Sequence, residues 1–156
     1  MIGFTYIKVL ILKILIPLDG SERALDALHH AMHLHQAGLR ASFVLAAVQD
    51  PVYGYEKLLP TDASLVDRLS GAMGERALAE AEALLNAAGI PFERKIASGE
   101  PAAVLLDIAQ QFRCSAIIIS TRGRGALRSA LLGSVSQAVL QSATIPVTLV
   151  KHRAQG

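Results

Sequence analysis

Hydrophobic positions along the chain fall into two alternating kinds of segment: short aliphatic runs of strand length, and longer segments with helical period. Residues 9–18 (VLILKILIPL) are nearly all aliphatic, the pattern of a strand covered on both faces. The turn and capping residues DGSE at 19–22 follow, so a helix is predicted over 21–37, ended by Gly38. RASFVLAAVQD (40–50) reads as a second strand, stopped at Asp50-Pro51, and the proline- and tyrosine-bearing stretch 51–60 as a loop. A long helix is predicted over about 62–88, with Leu65, Leu69, Met73, Leu78, Ala81 and Leu85 as its core-facing stripe and Gly89 as its stop. FERKIAS (92–98) alternates weakly, as an edge strand does. The segment 99–112 starts a helix with Pro101 in its first turn. CSAIIIS (114–120) is the most strongly buried-looking strand. A helix over about 132–142 and a last strand, 145–150, complete the pattern.

The order β-α-β-α-β-α-β-α-β predicts right-handed crossovers and a mostly parallel sheet. The fold class is therefore α/β: a single doubly wound, Rossmann-like domain, with a five-stranded parallel sheet of order 3-2-1-4-5 and helices on both faces. The domain is expected over 13–151, with 1–12 as an N-terminal extension or the start of the first strand and 152–156 as a tail. Residues 1–7 are left as a disordered extension, an added edge segment or an upstream start.

Composition narrows the class. A chain of 156 residues, 52% hydrophobic and 18% charged, is a globular domain rather than a disordered or fibrous one. The first apolar run is interrupted by Lys8 and Lys13 and is too short to span a bilayer, so no membrane role is expected. The single cysteine, Cys114, excludes an intramolecular disulfide, is compatible with a cytoplasmic location, and reads as small core filler.

Charge is divided unevenly. Residues 1–107 hold nine basic and thirteen acidic side chains, whereas 108–156 hold six basic ones and no acid. Three of the six are Arg122, Arg124 and Arg128, in the stretch STRGRGALRSALLGSVS at 120–136. A local anion site and a solvated basic face both account for this. Nucleic-acid binding is disfavoured, since aromatic residues are only 4% and no reading motif is present.

In a sheet of order 3-2-1-4-5 the strand order reverses between the first and fourth strands, where open α/β folds bind ligands. The loops there are LDGS (18–21) and STRGRG (120–125). Gly123 and Gly125 permit close backbone approach. Gly133 and Ser134 open the last helix, whose free N–H groups and dipole favour an anion. The hydroxyls of Ser134 and Ser136 can donate to phosphate oxygens, and Arg122 or Arg124 can neutralise charge. Asp19 is placed to meet a ribose, a base edge or a phosphate-bound metal. Glycine spacing alone leaves a second reading open, in which the glycines only make a turn and Asp19 only caps a helix. GRGALR (123–128) is neither a Walker A sequence nor a dinucleotide fingerprint.

KILIPLDGSERALDAL (13–28), GEPAAVLLDIAQQ (99–111) and STRGRGALRSALLGSVSQAVLQSATIPVTLV (120–150) resemble the universal stress protein family over nearly the whole chain. The nucleotide-binding branch of that family carries G-x2-G-x9-G-[ST]. Gly123, nine residues, then Gly133-Ser134 match its second part, and Ser120 stands where its first glycine would be. The Ser120 hydroxyl offers an extra hydrogen bond, while its Cβ is expected to resist a backbone geometry that glycine permits, lowering affinity or changing ligand preference. The resemblance implies an adenine nucleotide, usually ATP with Mg2+ or Mn2+. It implies that Pro17, Leu18 and Asp19 touch the adenosine end and that Val48 meets the adenine through its backbone. Gly123, Gly133, Ser134 and Val135 would hold ribose and phosphates. A homodimer formed through the last strand (145–150), an unidentified protein partner and a regulatory role in stress are implied as well.

Other groupings carry less. His29, His30 and His33 have helical metal-ligand spacing, but no carboxylate or cysteine cluster completes a site, so no protein metal site is expected beyond Asp19 acting through Mg-ATP. Ser21, Ser134 and Ser136 have no histidine base nearby in the expected topology, and no catalytic residue is assigned. A non-nucleotide-binding interaction module of the same fold is the alternative. At most weak ATP hydrolysis is expected.

Overall fold

The computed structural model describes residues 11–50, 63–121 and 132–152. Its strands are β1 (Leu12–Pro17), β2 (Ala41–Gln49), β3 (Phe92–Ser98), β4 (Ala116–Ser120) and β5 (Val147–Val150), and its helices α1 (Leu25–Gln36), α2 (Ala63–Ala88), α3 (Pro101–Gln111) and α4 (Ser134–Ser142). The strands form one sheet of order β3-β2-β1-β4-β5, every pairing parallel. This is the doubly wound arrangement that the alternation of strand and helix patterns predicts.

Period-2 alternation in the inner strands divides the core into two layers. Ile14, Ile16, Phe43, Leu45, Ala47 and Ile118 face α1 and α2. Leu15, Val44, Ala46, Ile117 and Ile119 face α3 and α4. Both sets are buried, which explains why these strands read as continuous aliphatic runs. β3 has a helix on each face and is an edge strand of the described sheet, where Glu93 and Arg94 are exposed. Cys114 is buried just before β4, as small core filler is.

Several boundaries shift from the expected ones for local reasons. The first helix opens as a 3-10 turn, Glu22–Ala24, capped by Ser21, before α1 begins. The last helix starts at Ser134 because Gly133 is extended, at φ −70° and ψ 159°. β5 starts at Val147, after Pro146, whose carbonyl accepts from Ile117 N at 2.9 Å to begin that edge of the ladder. α3 is capped by Glu100, whose carboxylate accepts from Ala102 N and Ala103 N at 3.2 and 2.8 Å, with Pro101 in the first turn. Among the described residues no helix is long and apolar enough to cross a membrane.

Candidate functional site at the switch point

β1 and β4 are adjacent, and the chain leaves them toward opposite faces of the sheet, so their carboxyl ends bound a crevice. Three pieces of backbone meet at this rim: the β1–α1 turn, the end of β4, and the start of α4.

The turn is organised by its own side chains. Asp19 Oδ1 accepts from Ser21 N at 2.9 Å and from Ser21 Oγ at 2.6 Å, and Ser21 Oγ accepts from Ala24 N at 3.2 Å. Asp-x-Ser is thus an Asx turn feeding an N-cap, which holds the Asp19 carboxylate at the rim. Gly20, at φ +85°, faces Ala77 of α2, so the turn packs backbone to helix. A water-sized cavity between them is lined by Leu18, Ser21, Arg76 and Glu80.

The end of β4 links the other two pieces. Ser120, 6% exposed, donates from Oγ to the Arg23 carbonyl at 2.7 Å. Thr121 N donates to Val150 O at 2.9 Å, and Thr121 O accepts from Gly133 N at 2.6 Å and from Ser136 Oγ at 3.0 Å. The segment between Thr121 and Gly133 is therefore pinned at its base by two bonds to one carbonyl.

α4 presents the anion-favouring feature. Among the described residues no side chain caps its N-terminus, and its first turn holds no acid, so the leading N–H groups and the positive end of the helix dipole face the rim. Ser134 is exposed there and Val135 half-buried.

The structure brings Asp19, Ser120, Gly133, Ser134 and Val135 to this one rim, with Pro17 half-buried at the end of β1. The Leu18 side chain is in the core, which leaves its backbone as the part that can meet a ligand. Val48 lies near the end of β2, half-buried against the α3–α4 layer. Arg122, Gly123 and Arg124 lie outside the described residues.

Two expectations change. Ser136 is buried, and its single hydroxyl proton is shared between Thr121 O and Gly133 O, each at 3.0 Å, so it closes the loop base instead of donating to a phosphate. Ser120 meets no backbone conflict: among the described residues Arg113 is the only non-glycine with positive φ, and Ser120 continues β4 in extended backbone. Sequence reasoning passed over Thr121 and the Arg23 carbonyl. Nothing in the sequence marks either, since both act through backbone atoms. The cap expected within DGSE (19–22) falls on Ser21, while Asp19 accepts from it. His29 and His33 are exposed and His30 half-buried on α1, and no group of three metal-ligating side chains occurs among the described residues.

The sequence profile of the universal stress protein family matches residues 11–151. The chain belongs to the universal stress protein family. Universal stress proteins of Methanocaldococcus jannaschii and Thermus aquaticus are similar to it. The first is 30% identical over 142 residues, covering 89% of this chain and 81% of the relative. The second is 38% identical over 140 residues, covering 88% and 97%. Among solved structures, the hypothetical protein MJ0577 superposes with a TM-score of 0.75 at 27% identity, over 94% of this chain and all of the other. A universal stress protein in complex with cAMP gives 0.64 at 22% identity, covering 90% and 97%. An Arabidopsis thaliana family protein with AMP bound gives 0.66 at 19% identity, covering 92% and 93%. The last two, at such identities, share the fold.

Proposed function

We propose that this universal stress protein binds an adenine nucleotide, ATP with Mg2+ or Mn2+, in the β1–β4 crevice, and that occupancy acts as a cytoplasmic regulatory switch in a homodimer. The observation that carries the reading is the convergence at one rim of an ordered carboxylate turn and a helix N-terminus that, among the described residues, no side chain caps. Asp19 takes the ribose or, through water, the metal. Pro17, Leu18 and the Val48 backbone line the adenosine end. Gly133, Ser134 and Val135 hold phosphate through backbone N–H groups and the Ser134 hydroxyl, with Gly123 and the charges of Arg122 and Arg124 from the adjoining loop. Adenine nucleotides in two proteins of the same fold, AMP and cAMP, support the ligand class. The metal would neutralise the polyphosphate charge. The residues present suit a cation held mainly by nucleotide oxygens, with Asp19 as the carboxylate ordered at the rim by Ser21.

Isothermal titration with Mg-ATP tests the proposal. Saturable heat and a raised melting temperature at millimolar ligand are expected; absence of both overturns it. Absorbance at 260 nm released on denaturing the purified protein is a quicker measurement of the same point. The dimer is proposed through β5, an edge strand of the described sheet. A sedimentation mass of one chain would remove it.

A second reading, an interaction module without nucleotide, is favoured by Ser120 standing where the branch pattern has glycine. Hydrolysis has weaker support: Asp19 Oδ1 already accepts two bonds from Ser21, which suits a positioning carboxylate better than a general base.

A further inference from the structure

Two consecutive residues at the end of β4 reach in different directions. Thr121 holds the start of α4 through its carbonyl, and Ser120 holds the β1–α1 turn through its hydroxyl. The direction of the second bond is fixed, because the Arg23 carbonyl can only accept. Its partners are 97 residues apart in the chain, so it is a tertiary link and not a local turn. The turn it holds is already internally tied, Asp19 to Ser21 and Ser21 to Ala24, and would move as a unit. One connected series of hydrogen bonds thus runs from Asp19 through Ser21, the 3-10 turn, Ser120 and Thr121 to Gly133 and Ser136. A glycine at 120 would leave the series cut in the middle.

We propose that Ser120 is a positioning residue: its hydroxyl clamps the Asp19 turn to β4 and so presets the distance between that turn and the N-terminus of α4. The inference rests on the nucleotide reading for its ligand. A nucleotide spanning the two walls meets groups already in place and loses less freedom on binding. The serine is then a gain of rigidity over glycine, the reverse of an inhibitory substitution.

The test compares wild type with Ser120→Ala, Ser120→Gly and Ser120→Thr, first by amide hydrogen exchange without ligand, then by stopped-flow dissociation of a fluorescent ATP analogue with Mg2+. Loss of one buried hydrogen bond is expected to speed exchange of the amides at 21–25 by about five-fold in the alanine and glycine variants. Exchange in α3, remote from the clamp, serves as the control for global destabilisation. Nucleotide dissociation is expected to quicken by a similar factor, and threonine, which keeps the hydroxyl, to restore both. Unchanged exchange at 21–25 relative to α3 overturns the clamp. Faster exchange with nucleotide retained as tightly, or more tightly, overturns its positioning role. If wild type and the threonine variant bind no nucleotide, the functional reading fails and the positioning role fails with it, while the exchange data still decide whether the clamp exists.

Discussion

A Cβ on Gly74 would stand 2.5 Å from Cγ2 of Ile96, with Cγ1 and Cδ1 of the same side chain at 3.2 and 3.3 Å. α2 therefore lies on β3 at a spacing that only a hydrogen at position 74 permits. Helix propensity alone favours Gly74→Ala by about 1 kcal/mol. Overpacking against a β-branched side chain fixed in the sheet costs about 1–3 kcal/mol, so the clash should win. Denaturant unfolding is expected to give a net loss of up to about 2 kcal/mol. Gly71, three residues earlier, has nothing among the described residues within 4 Å of its would-be Cβ, so Gly71→Ala should stabilise. A stabilising Gly74→Ala would show that α2 can move off β3 freely.

Arg113 carries a backbone angle that its side chain does not favour. α3 and α2 end in the same motif. After α2, Gly89 N donates to Asn86 O and Ile90 N to Leu85 O; after α3, Arg113 N donates to Gln110 O and Cys114 N to Ala109 O. The left-handed residue is Gly89 at φ +66° in one and Arg113 at φ +55° in the other. An L-residue there costs about 1–2 kcal/mol, while glycine's extra freedom in the unfolded chain offsets about 0.5–1 kcal/mol. Arg113→Gly should raise stability by about 0.5–1 kcal/mol in thermal or urea unfolding, and the exposed guanidinium leaves no buried contact behind. A loss of stability would mean the arginine makes contributions its exposure conceals.

The six apolar positions that read from the sequence as one stripe of α2 fall on two faces, because the step from Met73 to Leu78 is five residues. Leu78, Ala81 and Leu85 are fully buried, whereas Leu69 and Met73 are each 37% exposed. The cause is phase. At about 100° per residue, Leu69 and Met73 stand roughly 110–150° away from the face carried by Leu78, Ala81 and Leu85. Ser70, Gly74 and Ala77 continue that buried face in the preceding turns, Gly74 against Ile96 of β3. Small residues that pack on the sheet do not stand out as apolar positions, so the sequence pattern drifts onto the neighbouring leucine and methionine. Leu85→Ala is accordingly expected to cost about 2–5 kcal/mol and Met73→Ala less than about 1 kcal/mol, measured by urea unfolding. Equal costs would place a packing partner over Met73.

The site divides in the same way. Strand order, the switch point and a capped turn within DGSE followed from patterns that local chemistry imposes, and the structure reproduces them. The Ser120–Arg23 and Thr121–Gly133 links did not, because each ends on a backbone carbonyl and any residue could supply one. Ser120 and Ser136 look equivalent as hydroxyl donors in the sequence. Burial against particular carbonyls assigns both protons inward, leaving exposed Ser134 as the hydroxyl at the rim.

Cys114 links this core to alkaline pH. Burial pushes its thiol up to about 11; Lys13 nearby acts to lower it and Glu93 to raise it, both less than burial does. An unfolded chain ionises its thiol near pH 8.5. The folded state thus holds the proton more tightly, and stability from this source is fully present below about pH 8.5 and lost as pH rises through about 11. The slope is at most about 1.4 kcal/mol per pH unit. Lysines and tyrosines titrate in the same range, so the measured quantity is the difference between wild type and Cys114→Ala. Wild type should lose stability more steeply between about pH 9 and 11, and parallel curves would show that the thiol is solvated. Alkylation by iodoacetamide at pH 8 gives an independent check: native protein should react far more slowly than the urea-unfolded chain, because the thiolate is scarce and the sulfur covered.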